Sequence, residues 1–171
     1  MKHFLLLMSL LSAFGLAARA DELPLGAKIP AVKGVDQAGQ FVDLSEAGSK
    51  GYALVYFYPK ADTPGCTAQA CSLRDAYTKL TDKGVRVFGV SHDTVAEQEK
   101  FKEKYHLPFT LMADREGKIA QAFGVPKAVP LMPFFKRQAF LFKDGVLVWR
   151  DLSAATSKQA DDVLKVIAQQ P

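Results

Sequence analysis

Residues Tyr52–Asp75 read YALVYFYPKADTPGCTAQACSLRD. Tyr52 to Tyr58 is an unbroken apolar run, the pattern of a central strand buried on both faces. Pro59 ends it. Thr63 suits a helix N-cap, and Pro64 suits the first helical position. The spacing predicts a helix from Pro64 to Lys83, closed by Gly84. Cys66 then falls in the first helical turn. Free backbone N–H groups and the positive end of the helix dipole meet it there, and both favour thiolate over thiol. The Thr63 hydroxyl can accept one bond at the cap and still donate its proton to a nearby sulfur or oxygen. A cysteine that merely packs at a helix start is the plainer alternative, and local physics leaves the two open.

Working outward, residues 31–36 and 40–43 flank Asp36-Gln37-Ala38-Gly39 and predict a hairpin. Val85 to Ser91 (VRVFGVS) predicts a second buried strand. Thr94 to Tyr105 is amphipathic and charged, and Asp93 is placed to cap it. Phe109 to Met112 predicts a short strand. Lys118 to Phe123 predicts a short helix ended by Gly124. Residues 125–136 hold three prolines without a clear period and read as a loop. Gln138 to Phe142 and Val146 to Arg150 flank Lys143-Asp144-Gly145, a hairpin signal. Residues 157–169 predict a last helix. The expected class is α/β, with helices layered on a central sheet made mixed by its two hairpins. A thioredoxin-like fold fits this order, although the order does not single it out.

The chain has 171 residues, enough for one domain. Lys2, the uncharged run Phe4 to Ala18 and the A-x-A pattern Ala18-Arg19-Ala20 predict a signal peptide over residues 1–20. Its apolar run is shorter than the ~20 residues of a spanning helix. Residues 21–171 are then one exported, periplasmic domain without stable membrane association. Without Lys2 and Arg19 that domain carries 20 basic and 18 acidic side chains, a formal charge of +2. It has no basic run or aromatic-basic stripe, so nucleic acid is not implied.

Cys66 and Cys71 are the chain's two cysteines. In an exported protein they would ordinarily suggest a structural disulfide. A cross-link closing so short a loop constrains the unfolded chain little. Five residues of ideal helix separate the Cα atoms by roughly 8–9 Å, beyond the ~7 Å that a disulfide tolerates. The cysteines cannot bond while the helix is intact, so bonding must unwind its first turns. A redox pair alternating between two conformations suits that placement better than a permanent staple.

Pro59-x-x-x-Thr63-x-x-Cys66 matches the P-x-x-x-T-x-x-C pattern of the peroxiredoxins. With Cys71 five residues on, the chain resembles their bacterioferritin-comigratory (PrxQ) type. The likeness continues through FGVSHDTVAEQEKFKEKYHLPFTLMADREGKIAQAFGV at residues 88–125 and Lys136-Arg137-Gln138-Ala139-Phe140. It implies a thioredoxin-like fold and a thiol peroxidase acting on hydrogen peroxide and alkyl hydroperoxides. Cys66 would be the peroxidatic cysteine and Cys71 the resolving one, joined in an intramolecular disulfide that a thioredoxin-like dithiol protein reduces. Thr63 and Arg137 would complete the site, Arg137 holding the thiolate and polarising the peroxide, while Pro59 shields the sulfur. No metal, haem, flavin or other cofactor is implied, and the protein would act as a monomer or weak associate. Arg137 by itself would pass for a solvated surface residue.

The chain departs from that pattern in its leader, which leaves the electron donor open, and in KAVPLMPFF at residues 127–135, apolar where a polar loop is expected. The plainer expectation for that segment is a loop packed on the sheet. His92 and His106 are too far apart to suggest a metal pair. Trp149 reads as packing. A general thiol–disulfide oxidoreductase is a rival reading that the missing C-x-x-C weighs against. A binding module with a structural Cys66–Cys71 bond is another.

Overall fold

The computed structural model describes residues 22–170, so the leader expected over residues 1–20 lies outside the described residues. The strands are β1 (Lys33–Asp36), β2 (Phe41–Asp43), β3 (Tyr52–Phe57), β4 (Val85–Ser91), β5 (Thr110–Ala113), β6 (Gln138–Lys143) and β7 (Val146–Asp151). The helices are α1 (Leu44–Ala47), α2 (Pro64–Asp75), α3 (Tyr77–Asp82), α4 (Val95–Lys104), α5 (Lys118–Ala122) and α6 (Gln159–Ala168). One seven-stranded sheet runs β2-β1-β5-β4-β3-β6-β7. β3, β4 and β5 pair in parallel, and hairpins at both edges add antiparallel pairs, so the sheet is mixed as expected.

β3 explains why the sheet has two cores. Its side chains alternate faces. Leu54 and Tyr56 enter the cluster that Cys66, Ala70 and Leu73 of α2, Leu80 of α3, Phe101 of α4 and Val163 of α6 complete. Ala53, Val55 and Phe57 enter the opposite cluster with Leu44 of α1 and Ile119 and Ala120 of α5. All five of these β3 residues are fully buried. Each large side chain removed from water contributes about 1.5–3 kcal/mol, which makes β3 the firmest platform in the molecule for whatever follows it.

Three expectations are corrected. The helix expected over 64–83 is α2 and α3, separated by Ala76 at φ −98° and ψ 8°. Neither Gly nor Pro marks that bend. The N-cap of α4 is Thr94, which forms a capping box with Glu97. Asp93 is buried and turns the other way. The segment 125–136 is a tongue closed at its base by the Lys127–Phe135 bridge and by Ala128 N–H donating to Phe134 O at 2.7 Å. Phe135 packs edge-on against Phe57 as a sheet-packed loop would. The tip does not: Leu131 is 98% exposed and left-handed at φ 65°.

Gly89 in β4 lies directly beneath the Tyr56 ring. A Cβ there would meet Tyr56 Cζ and Oη at 2.7 Å and Leu111 Cδ2 at 2.8 Å. Gly89→Ala is therefore expected to destabilise the fold by about 1–3 kcal/mol, the usual cost of overpacking. Denaturant unfolding of the two proteins measures it, and an unchanged midpoint would show that Tyr56 shifts without penalty.

Candidate active site

Beyond Phe57, the pairing of β3 with β4 continues one step, Tyr58 N–H donating to Val90 O at 3.1 Å. Pro59, half-buried, then turns the chain off the sheet. The loop to Thr63 is fixed by two carboxylates. Asp93 Oδ2 accepts from Ala61 N–H at 2.7 Å and from Ser91 Oγ at 2.6 Å, while Lys60 Nζ stands 3.5 Å from Oδ1. Asp62 adopts φ 58°, a left-handed position that Asp tolerates better than most residues. Its carboxylate takes Lys104 Nζ at 2.8 Å on both oxygens and Tyr105 Oη at 2.6 Å. Lys104 first and Tyr105 second hold the Asp62 carboxyl below the usual carboxylate range.

Thr63 is the N-cap residue of α2 by backbone conformation, and Pro64 occupies the first helical position. The Thr63 side chain makes no capping bond. Its hydroxyl instead donates to Lys60 O at 2.9 Å. The capping bond expected of Thr63 is therefore not made, and its hydroxyl oxygen keeps lone pairs for a ligand.

Cys66 sits in the first turn, 2% exposed. Arg137 immediately precedes β6, whose Gln138 pairs with Phe57 at the end of β3, so the register delivers the guanidinium to the same sheet end. Arg137 Nη2 lies 3.3 Å from Cys66 Sγ. Its Nη1 donates to Gln69 Oε1. Gln69 Nε2 in turn donates to Gln159 Oε1 on α6 at 2.8 Å. Both glutamines are fully buried. The guanidinium lies so close over the first turn that a Cβ on Gly65 would stand 3.2 Å from Nη2. Tyr56 approaches from the sheet side with a buried hydroxyl that has no partner among the described residues. Burial pushes that phenol well above its ordinary value, so it stays protonated.

The structure thus brings Cys66 and Arg137 into contact and sets Thr63 at the cap of the same helix. Pro59 stands at the head of the loop, lining a small cavity with His92, Asp93 and Phe134. Cys71 is not brought to Cys66. Both are free thiols, and Cys71 is half-buried further along an unbroken α2. Three residues escaped the sequence reading. Gln69 had a readable signal, since three residues past Cys66 it puts an amide on a helix face that must be buried. Gln159 and the loop-fixing role of Asp93 had none, because their partners are distant in sequence.

A family model described as the AhpC/TSA family matches residues 25–150. This chain belongs to that family. A Coxiella burnetii protein named as peroxiredoxin bcp is 40% identical over 103 residues, 60% of this chain and 68% of that protein. The chloroplastic peroxiredoxin Q of Sedum lineare is 39% identical over 134 residues, 77% of this chain and 71% of that one. Two rice relatives are matched over 42% of their length. Peroxidoxin BcpB of Mycobacterium tuberculosis superposes with a TM-score of 0.80 at 31% identity, covering 88% of this chain and 100% of that one. The Xanthomonas campestris bacterioferritin comigratory protein, whose structures concern its alkyl peroxide reduction activity, gives 0.76 at 25% identity, covering 85% and 96%. The thioredoxin-like peroxiredoxin fold is shown, and these relatives support a thiol-dependent peroxidase over a staple or a general oxidoreductase.

Arg137 bridges sulfur and amide with separate nitrogens, which one ammonium cannot do. Arg137→Lys is expected to slow oxidation of the thiol by peroxide on the order of a hundredfold, the usual cost of a lost charge-stabilising donor. The rate of thiol alkylation should fall with it. Stopped-flow oxidation beside an alkylation series decides it; wild-type behaviour in both would make Arg137 a packing residue.

Proposed function

We propose that this AhpC/TSA-family chain reduces hydrogen peroxide and alkyl hydroperoxides with Cys66 as the nucleophile and Cys71 as the resolving thiol. The observation that carries the reading is the Arg137 guanidinium 3.3 Å from a buried sulfur at a helix N-terminus. The Cys66 thiolate attacks the terminal peroxide oxygen. The O–O bond breaks, and charge moves onto the leaving oxygen, which takes a proton and departs as water or an alcohol. Arg137 and the N–H groups of the first turn of α2 are positioned to stabilise that charge. Thr63 accepts from the peroxide O–H with its free lone pairs, and Pro59 limits water at the sulfur. Cys66 is left as a sulfenic acid. Cys71 condenses with it after α2 opens, and a thioredoxin-like dithiol protein reduces the disulfide by exchange. Both cysteines are on one chain, so a monomer suffices.

The test removes the thiols separately. Cys66→Ser is expected to abolish peroxide consumption. Cys71→Ser should consume about one equivalent and stall with Cys66 oxidised, since no second thiol is available. Peroxide consumption under single- and multiple-turnover conditions reads both. Multiple turnover by Cys66→Ser would overturn the assignment.

The leader motif over residues 1–20 supports a periplasmic location for this activity, with an exported dithiol protein as its reductant. The mature chain is expected to begin at Asp21. Intact-mass measurement on protein from its own host checks this; residues 1–20 retained on the soluble protein would refute export by cleavage.

A further inference from the structure

The segment leading from β7 into α6 runs along the site and touches it repeatedly. Ala154 N–H donates to Arg137 O at 3.1 Å. Thr156 Cγ2 would stand 3.5 Å from a Cβ on Gly65. Gln159 Oε1 accepts from Gln69 Nε2 at 2.8 Å, and Ala160 N–H donates to Ser72 Oγ at 3.2 Å. Gln69 and Ser72, three residues apart, share one face of α2, and consecutive residues of α6 hold them. α6 is fixed by its own burial, since Ala160, Val163 and Ile167 lie in the core cluster. The order of the polar chain leaves little choice at position 159. Arg137 has donors and no acceptor, so Gln69 must turn its oxygen to the guanidinium and its N–H groups to α6. Residue 159 must then present an acceptor. Gln159 Nε2 has no partner among the described residues, so Gln159 serves the chain as an acceptor alone.

We propose that Gln159 is a positioning residue for both steps of the reaction. It braces Gln69, and through it Arg137, while α2 is closed, and its bond to Gln69 is the catch that α2 releases to open. This rests on Cys71 being the resolving thiol. Gln69 lies between Cys66 and Cys71 on α2. Five residues of ideal helix hold the two Cα atoms roughly 8–9 Å apart, so the sulfurs meet only when the turn between them leaves the helix. The Cys71 thiolate then attacks the Cys66 sulfenic sulfur. The S–S bond forms, the S–O bond breaks, and hydroxide leaves and takes a proton to become water. Cys71 sulfur is oxidised and Cys66 sulfur is reduced. As that turn opens, Gln69 exchanges the buried Gln159 acceptor for water. Without the acceptor, Gln69 Nε2 is buried and unpaired in the closed helix but still met by water in the open one. Only the closed form is penalised. The balance then shifts toward the form that resolves and away from the form that meets peroxide.

The experiment mixes reduced protein with one equivalent of hydrogen peroxide, quenches with an alkylating agent and follows sulfenic acid and disulfide by mass. The quantity read is the rate of disulfide formation divided by the rate of the peroxide reaction. Gln159→Met keeps the length of the side chain and removes the acceptor. It should raise that ratio about tenfold, the effect of one buried donor left unpaired. Gln159→Glu keeps an acceptor and should hold the ratio within about twofold of wild type. Amide hydrogen exchange on the reduced proteins should show residues 66–72 opening about tenfold more readily in Gln159→Met, with β3 unchanged. In reduced wild-type protein the Gln69 side-chain amide protons should be protected from solvent, and they should lose that protection once the disulfide forms. This arm stands even if Gln159→Met fails to fold. A wild-type ratio and wild-type exchange in folded Gln159→Met would overturn the proposal. So would an equal rise of the ratio in Gln159→Met and Gln159→Glu, faster exchange spread evenly over α2 and β3, or an unprotected Gln69 side chain in the reduced wild type. Wild-type protein that consumes peroxide without ever forming the Cys66–Cys71 bond would instead sink the assignment of Cys71, and exchange on the reduced proteins would still decide whether Gln159 holds α2 closed.

Discussion

Two sulfurs on one unbroken helix cannot meet, and the site is organised around that constraint. α2 spans Pro64–Asp75, twelve residues. Alone, a helix of about that length is marginal in water. Its persistence depends on tertiary ties, and at the Cys66 end those ties converge on Arg137. The guanidinium holds the sulfur and Gln69 at once, and Gln69 is held by Gln159. The bond to sulfur is charge-assisted when the sulfur is a thiolate. A sulfenic acid is neutral when protonated, so oxidation weakens the contact that anchors the first turn. On the proposed mechanism, the chemical event and the loosening of the helix would be one interaction seen before and after. Each hydrogen bond from Arg137 through Gln69 to Gln159 contributes only about 1–3 kcal/mol net, a strength that holds a helix end in place and still permits it to leave.

What stays behind matters as much as what moves. β3 is buried on both faces, and neither its pairing with β4 nor that with β6 involves α2. The loop between β3 and α2 is tied to β4 and its following turn through Asp93 and to α4 through Asp62. Tyr105 holds both ends of this segment: its hydroxyl donates to Asp62 before the helix, and its carbonyl accepts from Arg74 near the helix end. Residues 63–73 are therefore bracketed by one point on α4. Opening can be local because both brackets belong to parts of the fold with buried partners.

The legibility of this molecule in its sequence follows the range of the interactions. β3 and β4 were readable because strands buried on both faces leave continuous apolar runs, and the β6–β7 hairpin was readable because Asp144 and Gly145 take the left-handed conformations such a turn requires. The break at Ala76 was not, because no Gly or Pro causes it. Thr94 was displaced from the N-cap reading by Asp93, since both residue types cap well, and only the structure shows that Asp93 is claimed by Ala61 and Ser91. Cys66 could be placed in a helical first turn from its lead-in alone. Arg137 could not: seventy-one residues separate it from Cys66, and only the resemblance to peroxiredoxins nominated it. The exposed tip at Leu131 defeated the expectation of a packed loop because a run of apolar residues does not reveal which of them the sheet has room for.

The last distinction concerns how the two polar groups of the motif divide their work. Arg137 has donors and no acceptor, and two of its nitrogens already point at Cys66 and Gln69. Thr63 has spent its only proton on Lys60 O and keeps lone pairs. A hydroperoxide brings one O–H to donate and two oxygens to accept. Thr63 can therefore take the substrate's O–H, which is attached to the oxygen under attack, while Arg137 donates to the oxygens as charge builds. The opposite arrangement is closed to Arg137 for want of a lone pair, and Thr63 would have to give up its bond to Lys60 O to enter it. On the proposed mechanism, the substrate's orientation at Cys66 would follow from the hydrogen bond that Thr63 makes backwards to its own loop, a loop that the Asp93 carboxylate fixes.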